Sequence, residues 1–407
     1  MRVINFNTRN NKSPILSAIP PTLLLIFALS FTSAVTAQKD DRIHRKAILV
    51  DTHNDFLTQT MEKGFSADMD LKGKTHSDLN RWHIGGLDAQ LFSVWCDGDK
   101  RQPYLFAMRQ IDSLDALTKR NPGSIVKVKN SKQLLKIAKQ HKIAAMLGVE
   151  GGHMMEDDIT KLDTFFDRGV RYMTLTWNNS TTWATSAFDE TSKKDLPHKG
   201  LSDFGKQVVT HMNKLGMIVD ISHVGEQTFW DAINTTSKPV IASHSSVYSL
   251  CPHPRNLKDS QIVAIAKNGG VIQINFYSGF LDSSYMPAKT AFITRHKLEW
   301  DSVIASGKAD HLADDYLYNQ YPEEAASMRA PFDLVIQHIE YVIKLVGVDY
   351  VGIGSDFDGI EAPPKLLDDV STYPLITKAL LVKGYSRSDI YKILGGNFIR
   401  VLKANER

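Results

Sequence analysis

Short apolar runs alternate with amphipathic stretches from residue 43 to the carboxyl end. The runs over 47–50, 87–95, 143–149, 170–176, 217–222, 239–243, 271–276 and 350–355 read as strands, since they are short and bounded by turn formers or charge. Apolar positions recur at helical spacing over 104–119, 204–215, 225–233, 260–267 and 334–346, and closing helices are expected over 386–394 and 397–402. Gly216 and the pair Gly269-Gly270 act as stop signals. Strand–helix alternation implies a parallel sheet, and eight repeats imply an α/β fold of the closed (β/α)8 TIM type. An open doubly wound sheet is the alternative. It loses its main support because no Gly-x-Gly-x-x-Gly turn follows the first strand. Residues 277–331 form an unusually long insertion between strand seven and its helix, rich in aromatic residues. In a barrel such a segment lies over the carboxyl face as a lid or specificity element, or packs on the side of the barrel.

Chemistry collects where the runs end. His53 and Asp55 follow strand one, Glu150 strand three, His223 strand five, His244 strand six and Asp356 strand eight. A parallel barrel puts all of these ends on one face. Left buried and unpaired, such groups are costly, and a metal cluster satisfies them. Three His and two acids suffice for two Zn2+ ions if one acid bridges. His53 with Asp55 suits one ion and His223 with His244 the other, and Glu150, on the strand between them, is the natural bridge. Two ions about 3.5–4 Å apart can share and activate one water. Asp356 is then left to move protons, with Asp358 the next candidate. His153 reads either as a group orienting Glu150 or as a core histidine, while His76, His83, His198 and His253 read as surface or loop residues.

Composition changes the picture at the amino terminus. The 407 residues are 43% hydrophobic and 23% charged, an ordinary globular balance. Arg2, Arg9 and Lys12 precede an apolar segment over 23–31, and Val35-Thr36-Ala37 suits a signal peptidase. The expected organisation is a signal peptide over 1–37 and a single barrel domain over 38–407. An uncleaved anchor is the competing reading, but Pro20 and Pro21 interrupt a short segment. Removing 1–37 takes three basic and no acidic residues, so Lys+Arg falls from 48 to 45 against 45 Asp+Glu. A net charge of zero suggests neither nucleic acid nor an anionic membrane surface as partner. Cys96 and Cys251 suit a disulfide or two buried thiols equally, and no Cys-x-x-Cys motif is present. The polar carboxyl end carries no hydrophobic anchor signal.

The chain also resembles a known family. The runs are Asp51-Thr52-His53-Asn54-Asp55, Gly148-Val149-Glu150-Gly151-Gly152-His153, Arg171-Tyr172-Met173-Thr174-Leu175-Thr176, Gly216 through His223, Ala242-Ser243-His244-Ser245, Arg255-Asn256, Gly354-Ser355-Asp356-Phe357-Asp358-Gly359 and Gly395-Gly396-Asn397-Phe398. In them the chain resembles the membrane (renal) dipeptidase family of zinc peptidases, within the amidohydrolase-like barrels. The resemblance implies a binuclear zinc dipeptidase acting on dipeptides with a free carboxylate, with Glu150 as bridge and Asp356 as proton-transfer acid. It also implies that Arg255, with Asn256 beside it, holds the substrate carboxylate. The chain departs from the pattern after strand four. Better-known members carry a substrate-contacting His there, and this chain has Trp177, with Asn178 or Asn179 as substitute donors. The expectation is an exported enzyme, periplasmic or secreted, with no stable membrane anchor once the leader is removed. The oligomeric state is open, a homodimer included. The other readings are a different metal-dependent hydrolase of the same barrel type, acting on a cyclic amide, lactone or phosphoester, and a non-catalytic binding barrel. A carboxylate clamp at Arg255 favours the peptide reading.

Overall fold

Eight parallel strands follow one another in hydrogen-bonded order: β1 (Val50–Asn54), β2 (Ala89–Val94), β3 (Ile143–Glu150), β4 (Val170–Thr174), β5 (Ile218–Asp220), β6 (Ile241–Ala242), β7 (Val271–Ile274) and β8 (Val351–Ile353). This computed structural model describes residues 1, 3, 40–308 and 310–407. The apolar segment and cleavage site expected near the amino terminus lie outside the described residues. Among the described residues no helix is long and apolar enough to cross a membrane. The barrel occupies the unit Ile43–Arg407.

β8 returns to β1 just past the last strand residues. Asp356 N donates to His53 O (3.1 Å) and Asp55 N to Phe357 O (3.0 Å). Side chains tie the same seam. Buried Asp51 accepts from Ser355 N (2.8 Å), Ser355 Oγ (2.7 Å) and Tyr373 Oη (2.6 Å). The fold is thus the expected nearly closed (β/α)8 barrel.

Strand alternation sorts side chains into two layers. Phe92, Val94, Leu147, Val149, Met173 and Val219 pack outward with the helices. Ala89, Leu91, Ala144, Met146, Tyr172, Ile218, Ile241 and Val271 form a second cluster with Phe398 and Leu402 of the last helix, Asn397–Asn405. Continued by two residues, or by four on β3 past Gly148, that inner alternation becomes polar: Ser93, Glu150, Thr174, Asp220, Ser243 and Gln273 are all buried. Thr52 Oγ1 donates to Ser243 O at 2.7 Å, from β1 to the end of β6, which puts these groups inside the barrel. The amino end of the barrel is therefore filled with apolar side chains and the carboxyl end with polar ones.

Three features differ from the pattern-based expectation. β1 starts at Val50 and runs to Asn54, not over 47–50, because Ala47 N is turned back to the carbonyls of Ile43 and His44. An extra short strand, Ile125–Lys127, pairs outside the path with β3. Its length of 3 residues gave no apolar run to read. The long connection after β7 is helical (Ser278–Leu281, Tyr285–Arg295, Lys297–Ala305, Asp310–Gln320, Pro322–Met328). Its aromatic residues pack on one another, as in Phe292 against Tyr318 with centroids 5.6 Å apart. Cys96 and Cys251 are buried free thiols.

Asp51→Ala leaves two backbone N–H groups, of Ser355 and His53, and two hydroxyls at the seam without their acceptor. It is expected to lower stability by about 3 kcal/mol, read as a lower urea midpoint. An unchanged midpoint would mean that the seam does not depend on Asp51.

Candidate metal centre

Each strand end delivers its residue by a local device. Glu150 is the last residue of β3 and points inward with Ala144 and Met146. His223 and Asp356 stand just past β5 and β8 with φ of 63° and 64°. This left-handed backbone is uncommon for residues with a Cβ, and the surrounding structure holds it. Gly359 completes the turn after β8. A Cβ there would lie 2.2 Å from Asp55 Oδ2 and 2.8 Å from Asp356 Oδ1, so only glycine leaves those carboxylates their space.

The six strand-end residues converge. His53 Nε2 lies 3.4 Å from Asp55 Oδ2, 3.2 Å from Glu150 Oε2 and 4.0 Å from Asp356 Oδ1. Glu150 Oε1 lies 2.9 Å from His223 Nε2 and 3.5 Å from His244 Nε2. One carboxylate thus turns one oxygen to His53 and the other to His223 and His244. Among the described residues two groups have the spacing to hold a cation: His53, Glu150 and His244, and His53, Asp55 and Asp356.

Hydrogen bonds behind the ligands decide what the imidazoles present. Tyr172 Oη donates to Thr52 O (3.1 Å), so at 2.9 Å from His53 Nδ1 it accepts from that nitrogen. Ser243 Oγ donates to Asp220 Oδ2 (2.6 Å), so it accepts from His244 Nδ1 at 2.8 Å. Asn178 Oδ1, an acceptor, faces His223 Nδ1 at 3.1 Å. All three rings carry their proton on Nδ1 and aim an Nε2 lone pair at the centre. His223 Nε2 and His244 Nε2 then face each other at 2.9 Å with no proton between them. His53 Nε2 and Asp55 Oδ1 are buried without a hydrogen-bond partner. Converging lone pairs and carboxylates repel one another unless a cation lies among them, so this donor set fits metal ions of the zinc type.

Electrostatics agree. Burial opposes charge on His53, yet Tyr172, Glu150 and Asp55 hold its pKa well above the ordinary value. Positive charge is favoured at that point, and a proton or a metal ion can supply it. Burial, then the nearby Arg255, pushes His223 down to about 3, and burial, then His53, pushes His244 well below its usual value. Both rings stay neutral. Burial works against charge on Glu150, but the neighbouring His53 holds it well below the carboxylate range. Asp356 is the opposite case. Burial pushes it well above that range, and Asn275 Nδ2 holds its Oδ2 at 2.8 Å.

The centre opens into a cavity of about 810 Å³ that Asp55, Trp95, Glu150, Trp177, Asn178, His223, Arg255 and Asp356 line, together with His311 and Tyr318 of the helical insertion. The insertion therefore covers the carboxyl face. Arg255 is buried, its Nη2 donates to His244 O (3.2 Å), and its guanidinium lies over the Phe280 ring. Asn256 is tied to the backbone, donating to Cys251 O and Phe280 O, both at 2.8 Å. His153 Nε2 lies 3.2 Å from Cys96 O, a core contact, while Ser93 Oγ donates to Glu150 Oε2 (3.0 Å). His76 lines the cavity and its Nδ1 accepts from Asp358 N (3.0 Å), so it is more than a loop histidine. Strand-end reasoning missed Ser93, Tyr172, Ser243, Asn275 and Gly359. Parity was the available signal: Ser93 and Tyr172 share the inner alternation of their strands.

Known proteins match this chain along most of its length. The family model described as membrane dipeptidase (peptidase family M19) matches residues 37–407. An uncharacterized dipeptidase of Schizosaccharomyces pombe is 33% identical over 389 residues, 91% of this chain and 83% of the relative. Among solved structures, the probable dipeptidase PvdM from Pseudomonas aeruginosa superposes with a TM-score of 0.75 at 24% identity, over 90% of this chain and 98% of that one. A metallo peptidase from Rhodobacter sphaeroides, liganded with a phosphinate mimic of L-Ala-D-Ala, superposes with a TM-score of 0.71 at 21% identity, over 89% and 100%. Both solved structures share the fold. The family match spans the whole barrel and all six converging residues: the chain belongs to the membrane dipeptidase family, peptidase family M19, and is a metallo-dipeptidase.

Proposed function

We propose that the protein hydrolyses dipeptides with a free carboxyl terminus, using two zinc ions held by His53, Asp55, Glu150, His223 and His244. The observation that carries this reading is the division of Glu150, Oε2 toward His53 at 3.2 Å and Oε1 toward His223 at 2.9 Å. A carboxylate so placed can serve two ions at once. Bound there, zinc would supply the Lewis acidity that activates water and polarises the scissile carbonyl. The solved relative that carries a dipeptide mimic supports a dipeptide as substrate.

The remaining chemistry belongs to the chain. Asp356, anchored through Oδ2 by Asn275, keeps Oδ1 toward the centre. Burial holds it protonated to a higher pH than an ordinary carboxyl, which suits a group that passes a proton to the departing amine. Arg255, buried at the cavity wall, offers a planar donor pair to a carboxylate. Metal chemistry alone cannot tell a dipeptide from a longer chain, since every peptide bond offers the same carbonyl. A fixed cation one residue away can. One geometric fact favours a second role for Asp356, because it groups with His53 and Asp55 at ligand spacing. We also propose export, on the basic, apolar and small-residue order of the first 37 residues.

Glu150→Gln should abolish activity and reduce zinc from about two towards one per chain by elemental analysis. Two tightly held ions in a folded variant would remove Glu150 as the bridge. Asp356→Asn should keep its zinc and lose about 10²–10⁴ in kcat; loss of zinc instead would make Asp356 a ligand. Arg255→Met should lose about 2–4 kcal/mol in kcat/KM on free dipeptides and far less on carboxyl-amidated ones. Equal losses on both would show that Arg255 is structural.

A further inference from the structure

We propose that Trp95 and Trp177 seat the side chain of the substrate's first residue and select dipeptides that begin with an aromatic or large aliphatic residue. This assignment rests on the dipeptidase reading above and names its preferred substrate class. Trp95 directly follows β2, Trp177 follows β4, and Glu150 ends β3 between them. The two indoles meet edge to face, centroids 5.0 Å apart at 66°. Both are half-buried and line the cavity. Trp177 also lies 6.5 Å from the His223 ring, so a group resting on it is one ring away from the reacting centre. From the insertion, His311 comes within 6.5 Å of Trp95 and extends the wall towards the mouth.

The chemistry of this wall is narrow. An indole binds no metal and accepts no proton; it offers an apolar face and one N–H donor. Apolar surface left wet beside a polar centre gains most from an apolar ligand group. Topology says which group that is. Arg255 lies beyond β6, two strands on from β4 and four from β2 in the barrel order. A dipeptide has one residue on each side of the bond to be cut. With its carboxylate at Arg255 and its carbonyl at the centre, its first residue falls on the β2–β4 side, against the two indoles.

The test is kcat/KM of the zinc-loaded enzyme on Ala-Ala, Leu-Ala, Phe-Ala and Ala-Phe. In the wild type, Phe-Ala and Leu-Ala should exceed Ala-Ala by about 10–100-fold. W95A and W177A should each lower the Phe-Ala to Ala-Ala ratio by about tenfold or more and leave the Ala-Phe to Ala-Ala ratio in place. W177F, which keeps an aromatic face, should retain most of the preference. A flat wild-type ranking overturns the assignment, and this holds even where an alanine variant does not fold. So does a preserved Phe-Ala preference in both alanine variants, or a loss confined to Ala-Phe. Hydrolysis of all four substrates with a flat ranking sinks this assignment alone, whereas hydrolysis of none sinks the dipeptidase reading itself.

Discussion

The centre places negative charge and lone pairs where they repel one another, and the fold has to hold them there. Three imidazoles, Glu150 and Asp55 turn donor atoms inward within a few ångströms. Taking charged groups out of water costs several kcal/mol each unless they are paired. Much of the polar interior serves this placement. Asp220 accepts from Ser243 N (2.9 Å) and Ser243 Oγ (2.6 Å), and Ser243 in turn fixes His244. Tyr172 reaches across the barrel to fix His53, and Gly148 leaves room for its ring, since a Cβ there would lie 1.9 Å from Cζ. The left-handed backbone at His223 and Asp356 is tolerated on the same footing.

Barrel closure and site assembly are therefore one event. The hydrogen bonds that bring β8 back to β1 run through His53, Asp55 and Asp356 themselves. Asp51 holds this seam from below, two residues before His53. His53 and Asp55 from the first strand and Asp356 from the last meet only when the barrel is complete.

The helical insertion is held unevenly. At its base, Lys289 pairs with Glu361 (2.6 Å) and Asp314 (2.8 Å), all three side chains largely buried, and Tyr277 Oη donates to Glu361 (2.9 Å). Glu361 lies five residues past Asp356, so the base of the roof is joined to the loop that carries Asp356. At the rim, Lys63 and Asp315 stand 3.8 Å apart and are 37% and 42% exposed. Exposed pairs contribute about 0–1 kcal/mol. The rim is thus held more weakly than the base.

Periodicity alone determined the order of the eight barrel strands, seven of the helices, the parallel barrel and six of the residues that meet at its carboxyl end, while helices such as Thr160–Asp167 and Pro374–Val382 went unread. Each was legible because burying an apolar run leaves a regular trace and because a reactive residue directly after such a run has few other reasons to be there. The insertion showed its length and aromatic content but not its helices, whose apolar positions are spaced for packing on one another. Tyr172, Ser243, Ser93 and Asn275 were not legible as site residues. Their role depends on which atom they touch across the barrel, and contacts between residues far apart in the chain leave no local pattern. Tertiary structure alone decided which imidazole nitrogen faces the centre, how Glu150 divides its two oxygens, and that Trp95 joins Trp177 on one wall. These are matters of distance and direction between strands, which only closure of the barrel sets.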